Sequence, residues 1–109
     1  MKIRKTITCP LELTHDIIKG KWKPIIIFNL KDNKSLSDLE KSINGITQKM
    51  LLEHLKELKA FKIVDKTSFP GYPLRVEYYL TDRGRELLDA INILQRIGKD
   101  IRMEIDIEK

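Results

Sequence analysis

The chain has 109 residues, with 21 Lys and Arg against 16 Asp and Glu, a net charge of +5 and a pI near 9.4. That length predicts one domain over residues 1–109, and 41% hydrophobic with 34% charged residues fits a helix-rich globular protein. No apolar run approaches the roughly 20 residues of a membrane span. The basic start "MKIRKTITCP" precedes no apolar signal core, and one cysteine forms no internal disulfide, so a cytoplasmic protein without membrane contact is expected.

The positive charge is uneven. Residues 1–34 carry eight Lys and Arg against three Asp and Glu, residues 35–80 seven against six, and residues 81–109 six against seven. Such an excess inclines the chain toward polyanions, although a solvated basic face has the same composition.

"PLELTHDIIKG" reads as a helix, with Pro10 in the first turn and Gly20 at its end. "WKPIIIFNL" is a second helix, since Pro24 is tolerated only near a helix start. Its run Ile25 to Phe28 is apolar on every side, which predicts a central, buried element. In "SLSDLEKSI", Ser37 and Glu40 have capping-box spacing, and Leu39 and Ile43 share a face. A turn at Asn44–Gly45 leads to "ITQKMLLEHLKELKAF", with Thr47 as N-cap and Leu51, Leu55 and Leu58 at the spacing of one buried stripe.

Helix, tight turn, helix over Ser37–Ala60 is a helix-turn-helix arrangement. At about 100° per residue, Lys49, Glu53 and Lys56 point away from the stripe and Gln48 and Leu52 flank them. A first turn presenting Thr47, Gln48 and Lys49 suits phosphates and base edges: the helix N-terminus favours anions, and Gln bonds adenine bidentately. An ordinary amphipathic helix with a polar solvent face fits the same segment.

"KIVDKTSF" and "LRVEYYLT" have the β-branched and aromatic content of two strands. The connecting "PGYP" is stiffened by Pro70 and Pro73, with Gly71 allowing the turn, and Lys66 and Arg75 stand at its base. A hairpin directly after a helix-turn-helix is the wing of a winged helix. The last segment, from Thr81, is a long helix. Leu87, Ile91, Leu94, Gly98, Ile101 and Ile105 recur at spacings of four and three, a seam for helix packing that Ala90, Ile93 and Ile97 widen; a second subunit is expected to cover it, although a helix folded back onto its own core has the same pattern.

No chemistry of catalysis is visible. His15 and His54 are the two candidate general bases near neutral pH, neither with a nucleophile at a recognisable spacing. There is no glycine-rich phosphate loop and no zinc pattern, so no cofactor or metal is expected.

Three motifs carry a resemblance: "CPLELTHDIIKGKWKPIII", "INGITQKMLLEHLKELKAF" and "FPGYPLRVEYYLTDRG". Together, over residues 9–84 and in this order, they resemble the HxlR-type bacterial winged-helix transcriptional regulators, relatives of the MarR-type regulators. The resemblance implies a mainly α fold with a small β-hairpin, a winged helix-turn-helix with extra N- and C-terminal helices for dimerisation. It implies a homodimer on a pseudo-palindromic double-stranded DNA operator, with recognition helices about 34 Å apart. The recognition helix, about residues 47–60, would enter the major groove. The wing, about residues 67–75, would reach the backbone or minor groove. Carried over by position, Thr47, Gln48, Lys49, Leu52, Glu53 and Lys56 face the DNA, with Lys66 and Arg75 at the wing. A small-molecule or oxidant inducer is the implied signal, and Cys9 is the candidate redox sensor because some members sense through a cysteine at this position. Its place before a helix start, near Arg4 and Lys5, favours a thiolate, whereas a lone cysteine also serves as an inert apolar residue. The rival reading is a winged helix used as a protein-interaction module; RNA binding lacks an aromatic stacking platform.

Overall fold

A computed structural model describes residues 9–108, with side chains described through residue 106. The elements run α1 (Pro10–Ile18), α2 (Trp22–Asn29), α3 (Leu36–Ser42), α4 (Gln48–Ala60), β1 (Val64–Phe69), β2 (Arg75–Leu80) and α5 (Asp82–Glu108).

Pro10 occupies the first turn of α1, where its missing N–H leaves no bond unmade. In α2 the apolar run is divided rather than wholly enclosed. Ile26, Ile27 and Leu30 are fully buried, but Ile25 and Phe28 are half-buried and open onto a hollow of about 220 Å³ shared with Ile91 and Leu94. The cap of α3 also differs from expectation. Ser35, not Ser37, accepts the Asp38 N–H at 3.1 Å, because the chain is still extended at Ser35 and turns helical at Leu36. Ser35 and Asp38 thus carry the cap with the spacing that Ser37 and Glu40 also have.

Leu39, Ile43 and Ile46 pack with Leu51, Leu55 and Leu58 around α2, forming one core with Ile63, Val64, Tyr78 and Leu80. Thr47 caps α4 as the sequence predicts, accepting the Met50 N–H at 3.2 Å.

The chain leaves α4 through Lys62, which has φ +58°, and the Ile63 N–H returns to Leu58 O at 3.0 Å. β1 and β2 pair antiparallel from Val64 opposite Leu80 to Phe69 opposite Arg75, with Gly71 at φ +135° in the turn. Lys34 adds a single bridge to the other edge of β2, its N–H and C=O bonded to Tyr78 at 3.0 and 2.7 Å. Helix-turn-helix followed by this hairpin is a winged helix.

Thr81 caps α5 by accepting the Gly84 N–H at 3.2 Å. The same hydroxyl lies 2.6 Å from Lys62 O and 3.0 Å from Ile63 O, so the start of α5 is locked to the exit of α4. Leu88 and Ile91 join the core; from residue 92 to 106 every side chain is exposed.

Candidate nucleic-acid interface

With Leu51, Leu55 and Leu58 buried at no more than 1% exposure, helical geometry turns Gln48, Lys49, Leu52, Glu53 and Lys56 to solvent. The oxygen of Thr47 is engaged as the cap, which leaves its hydroxyl hydrogen free to donate. Leu52, Lys56 and Lys66 line one hollow of about 370 Å³ between α4 and the hairpin, together with Lys59 and Tyr78. The structure therefore brings the outer face of α4 and the root of the wing together. Burial raises the Tyr78 phenol above its ordinary pKa, so it stays a neutral floor to that hollow.

A second, larger depression of about 730 Å³ holds Lys56, Lys59, Lys62 and Arg83, with Asp65 and Asp82 among them. Lys59, Lys62 and Arg83 extend the basic surface beyond what the sequence indicated. Lys59 was legible, since it lies on the same flank of α4 as Leu52 and Lys56. Arg83 was not, because nothing in "TDRG" says that α5 starts beside the end of α4.

Arg75 sits differently from Lys66. Its guanidinium pairs with the Glu77 carboxylate and lies 5.3 Å from the centre of the Phe69 ring. The wing beyond it is apolar and exposed at Phe69, Tyr72 and Leu74, with no cation from residue 67 to 74.

Behind α4, Lys23 reaches Glu57 at 2.7 Å with only 7% of its side chain exposed. Burial opposes ionisation of Glu57, but the Lys23 hydrogen bond and charge prevail and hold its carboxyl below the ordinary value. His54 is pushed below 6.5, chiefly by burial and then by the Lys23 charge, against the pull of Glu57 and Glu53. Its Nδ1 is buried without a hydrogen-bond partner among the described residues. His15 is exposed on α1, away from any such cluster. Among the described residues no group of three or more His, Cys, Asp or Glu is placed to hold a metal, and no helix is long and apolar enough to cross a membrane.

Cys9 is exposed at the N-cap position of α1; Arg4 and Lys5 lie outside the described residues. The seam on α5 divides. Leu87 is half-buried and Ile91 buried against the chain's own core, while Leu94, Ile101 and Ile105 are 62%, 50% and 51% exposed. Gly98 lies between them with open space where a Cβ would stand, and Ile93 and Ile97 are exposed beside it.

The comparisons with known proteins agree with this geometry. The chain is 34% identical over 94 residues to the putative regulatory protein MalR of Fusobacterium mortiferum, covering 84% of this chain and 89% of that one. It is 37% identical over 99 residues to the HTH-type transcriptional regulator YdeP of Bacillus subtilis, covering 90% and 77%. Among solved structures it is similar to the redox regulator HypR in its reduced form, with a TM-score of 0.83, 34% identity, and 90% and 98% coverage. The model of the HxlR-like helix-turn-helix family matches residues 17–106. The chain therefore belongs to the HxlR-like helix-turn-helix family and is a DNA-binding transcription regulator rather than an enzyme.

Proposed function

We propose that the protein works as a homodimer on a pseudo-palindromic operator. α4 enters the major groove and the hairpin lies along the backbone or the neighbouring minor groove. The observation that carries this reading is the shared hollow in which Leu52 and Lys56 of α4 meet Lys66 of the wing, so helix and wing offer one continuous basic face. Thr47, Gln48, Lys49 and Glu53 head that face, with Gln48 and Glu53 as base readers and the lysines as phosphate contacts. The exposed seam at Leu94, Gly98, Ile101 and Ile105 supports association through α5, and Leu87 and Ile91 anchor that helix to its own subunit. A cytoplasmic location follows from work on the chromosome.

The test is fluorescence anisotropy against the DNA upstream of the protein's own gene, beside a scrambled duplex, at two salt concentrations. Tight, salt-sensitive binding to the upstream duplex alone supports the reading. Equal, weak and salt-insensitive binding to both would favour a protein-interaction module.

A second reading concerns the signal. HypR is described as a redox regulator and is known in reduced and oxidised forms. In this chain the free Cys9 is exposed at the N-cap of α1, open to an oxidant. Two Cys9 thiols from two subunits, losing two protons and two electrons to an oxidant, would give an intersubunit disulfide. Oxidation that changes DNA binding in the wild type and not in Cys9→Ser supports this; identical responses exclude it.

A further inference from the structure

The hairpin changes character beyond its root. Lys66 shares a hollow with the outer face of α4, but residues 67–74 carry no charge of either sign in a chain of which 34% is charged. The tip presents apolar side chains instead: Tyr72 is fully exposed, Leu74 is 66% exposed and Phe69 40%. We propose that Tyr72 and Leu74 form a wedge that enters the minor groove beside each half-site, opens one flexible base step and bends the duplex toward the major groove. The wedge rests on the reading of α4 and the hairpin as the DNA face.

A tip that gripped phosphates would need free cations. The nearest, Arg75, is already paired with Glu77. Three large apolar side chains within residues 69–74 make a patch rather than a scatter, and a patch of this kind marks a contact surface. In the minor groove the apolar surface on offer is the face of an opened base step, and apolar side chains are what such steps receive.

Reach and stiffness fit that task. From Lys66 to Phe69 the strand climbs three residues, about 10 Å at roughly 3.3 Å per residue. With Lys66 at a phosphate, the tip therefore spans a minor groove about 7.5 Å deep. Pro70 and Pro73 fix the backbone on either side of Tyr72, and Gly71 at φ +135° supplies the turn. Phe69 stands opposite Arg75 in the register and carries the guanidinium 5.3 Å from its ring centre, which gives the wedge a firm base. A preset tip loses little entropy on insertion. Unstacking is easiest at pyrimidine–purine steps such as TA and CA, so the wing selects deformability where it reads no base pattern of its own.

The test uses a duplex selected from a randomised pool by the wild-type protein. It is end-labelled for energy transfer, with 2-aminopurine replacing each flanking adenine in turn. Wild type should bend the duplex by about 20–90° and brighten the probe at one step per half-site. Tyr72→Ser combined with Leu74→Ser, both at exposed positions, should keep the preference under α4 and lose the bend and the bright step. Lys66→Ala should weaken binding and retain both signals. Replacing the bright step by an A-tract should weaken wild-type binding about fivefold or more and leave the double variant unaffected. Specific binding to a straight duplex with no bright step, or a bend that survives in the double variant, would overturn the wedge alone and leave the tip to a protein partner. A pool that never enriches would remove the DNA reading and the wedge with it.

Discussion

Lys23 Nζ lies 2.7 Å from Glu57 Oε2, joining the helix that carries the core to the flank of α4 that faces away from the wing. Breaking one side of a buried pair leaves an uncompensated charge. Lys23 is 7% exposed and Glu57 28%, so the lysine is the worse member to strand. Glu57→Gln should therefore destabilise by about 2–4 kcal/mol, below the full penalty of a dry pair, and Lys23→Met by less. Urea unfolding of both variants decides this; equal losses would mean that burial does not rank the two charges.

The pair has a titrating neighbour. The unfolded chain binds a proton at His54 near 6.5, and the folded chain resists it until lower pH. Stability contributed by the neutral imidazole is present above 6.5 and is lost as pH falls through the depressed folded value. Glu57, also depressed in the fold, adds a second loss at more acid pH. Thermal melts from neutral pH downward should show an early decline that His54→Gln flattens. An unchanged pH profile in that variant would remove the histidine from the account.

Gly84 packs its backbone directly against the exit of α4. A Cβ there would lie 2.2 Å from Ile63 O and 3.1 Å from Leu80 Cβ. The carbonyl cannot withdraw without breaking its bond from Thr81 N–H, so Gly84→Ala should destabilise by about 1–3 kcal/mol. At roughly 4–8 °C per kcal/mol that is a readily measured fall in Tm. Gly98→Ala, with open space around it, should raise helix stability by up to about 1 kcal/mol in the isolated chain. The reverse order would show that α5 does not pack as described.

The exposed half of α5 makes a prediction about assembly. Leu94→Asp or Ile101→Asp places a charge on the seam at no expense to the chain's own core. Sedimentation should then give a monomer where a dimer is expected of the wild type, with DNA affinity lowered well beyond about tenfold, since one half-site would no longer assist the other. A dimer that survives both changes would move the interface elsewhere.

On DNA, the cations should separate by their surroundings. Lys49→Ala, Lys56→Ala, Lys59→Ala and Lys66→Ala should each weaken binding to all sequences alike and reduce the salt slope by about 1. Arg75→Ala should change the slope less, because Glu77 already neutralises it. Gln48→Ala should instead relax preference at one base pair, at about 1–3 kcal/mol. A set of operator variants at several salt concentrations reads all three outcomes.

Much of this was legible because local rules and tertiary packing agree. The Leu51, Leu55, Leu58 stripe, the Thr47 cap and the hairpin each follow from spacing and turn chemistry, and each occupies its expected place. The misses have a common cause. Ser35 and Ser37 carry equally good capping patterns, and the loop back to Tyr78 decides between them. Ile25 and Phe28 look as apolar as Ile26 and Ile27, but the direction from which α5 approaches leaves them half-covered. Arg83 beside Phe61 is a contact that no periodicity encodes, whereas Arg75 and Glu77 have the two-residue spacing of one strand face.

The bridge from Lys34 to Tyr78 fixes one end of a cantilever. β2 is held there on both edges, by β1 and by the α2–α3 connection, whereas toward Phe69 and Arg75 it has β1 alone. Bending will concentrate in the free span beyond Val76, and amide exchange should fall off sharply between the tip and Tyr78. A wing clamped so close to α4 can trace the irregular width of a DNA groove with its outer half while its root stays still, so searching along the duplex need not disturb the helix that reads it.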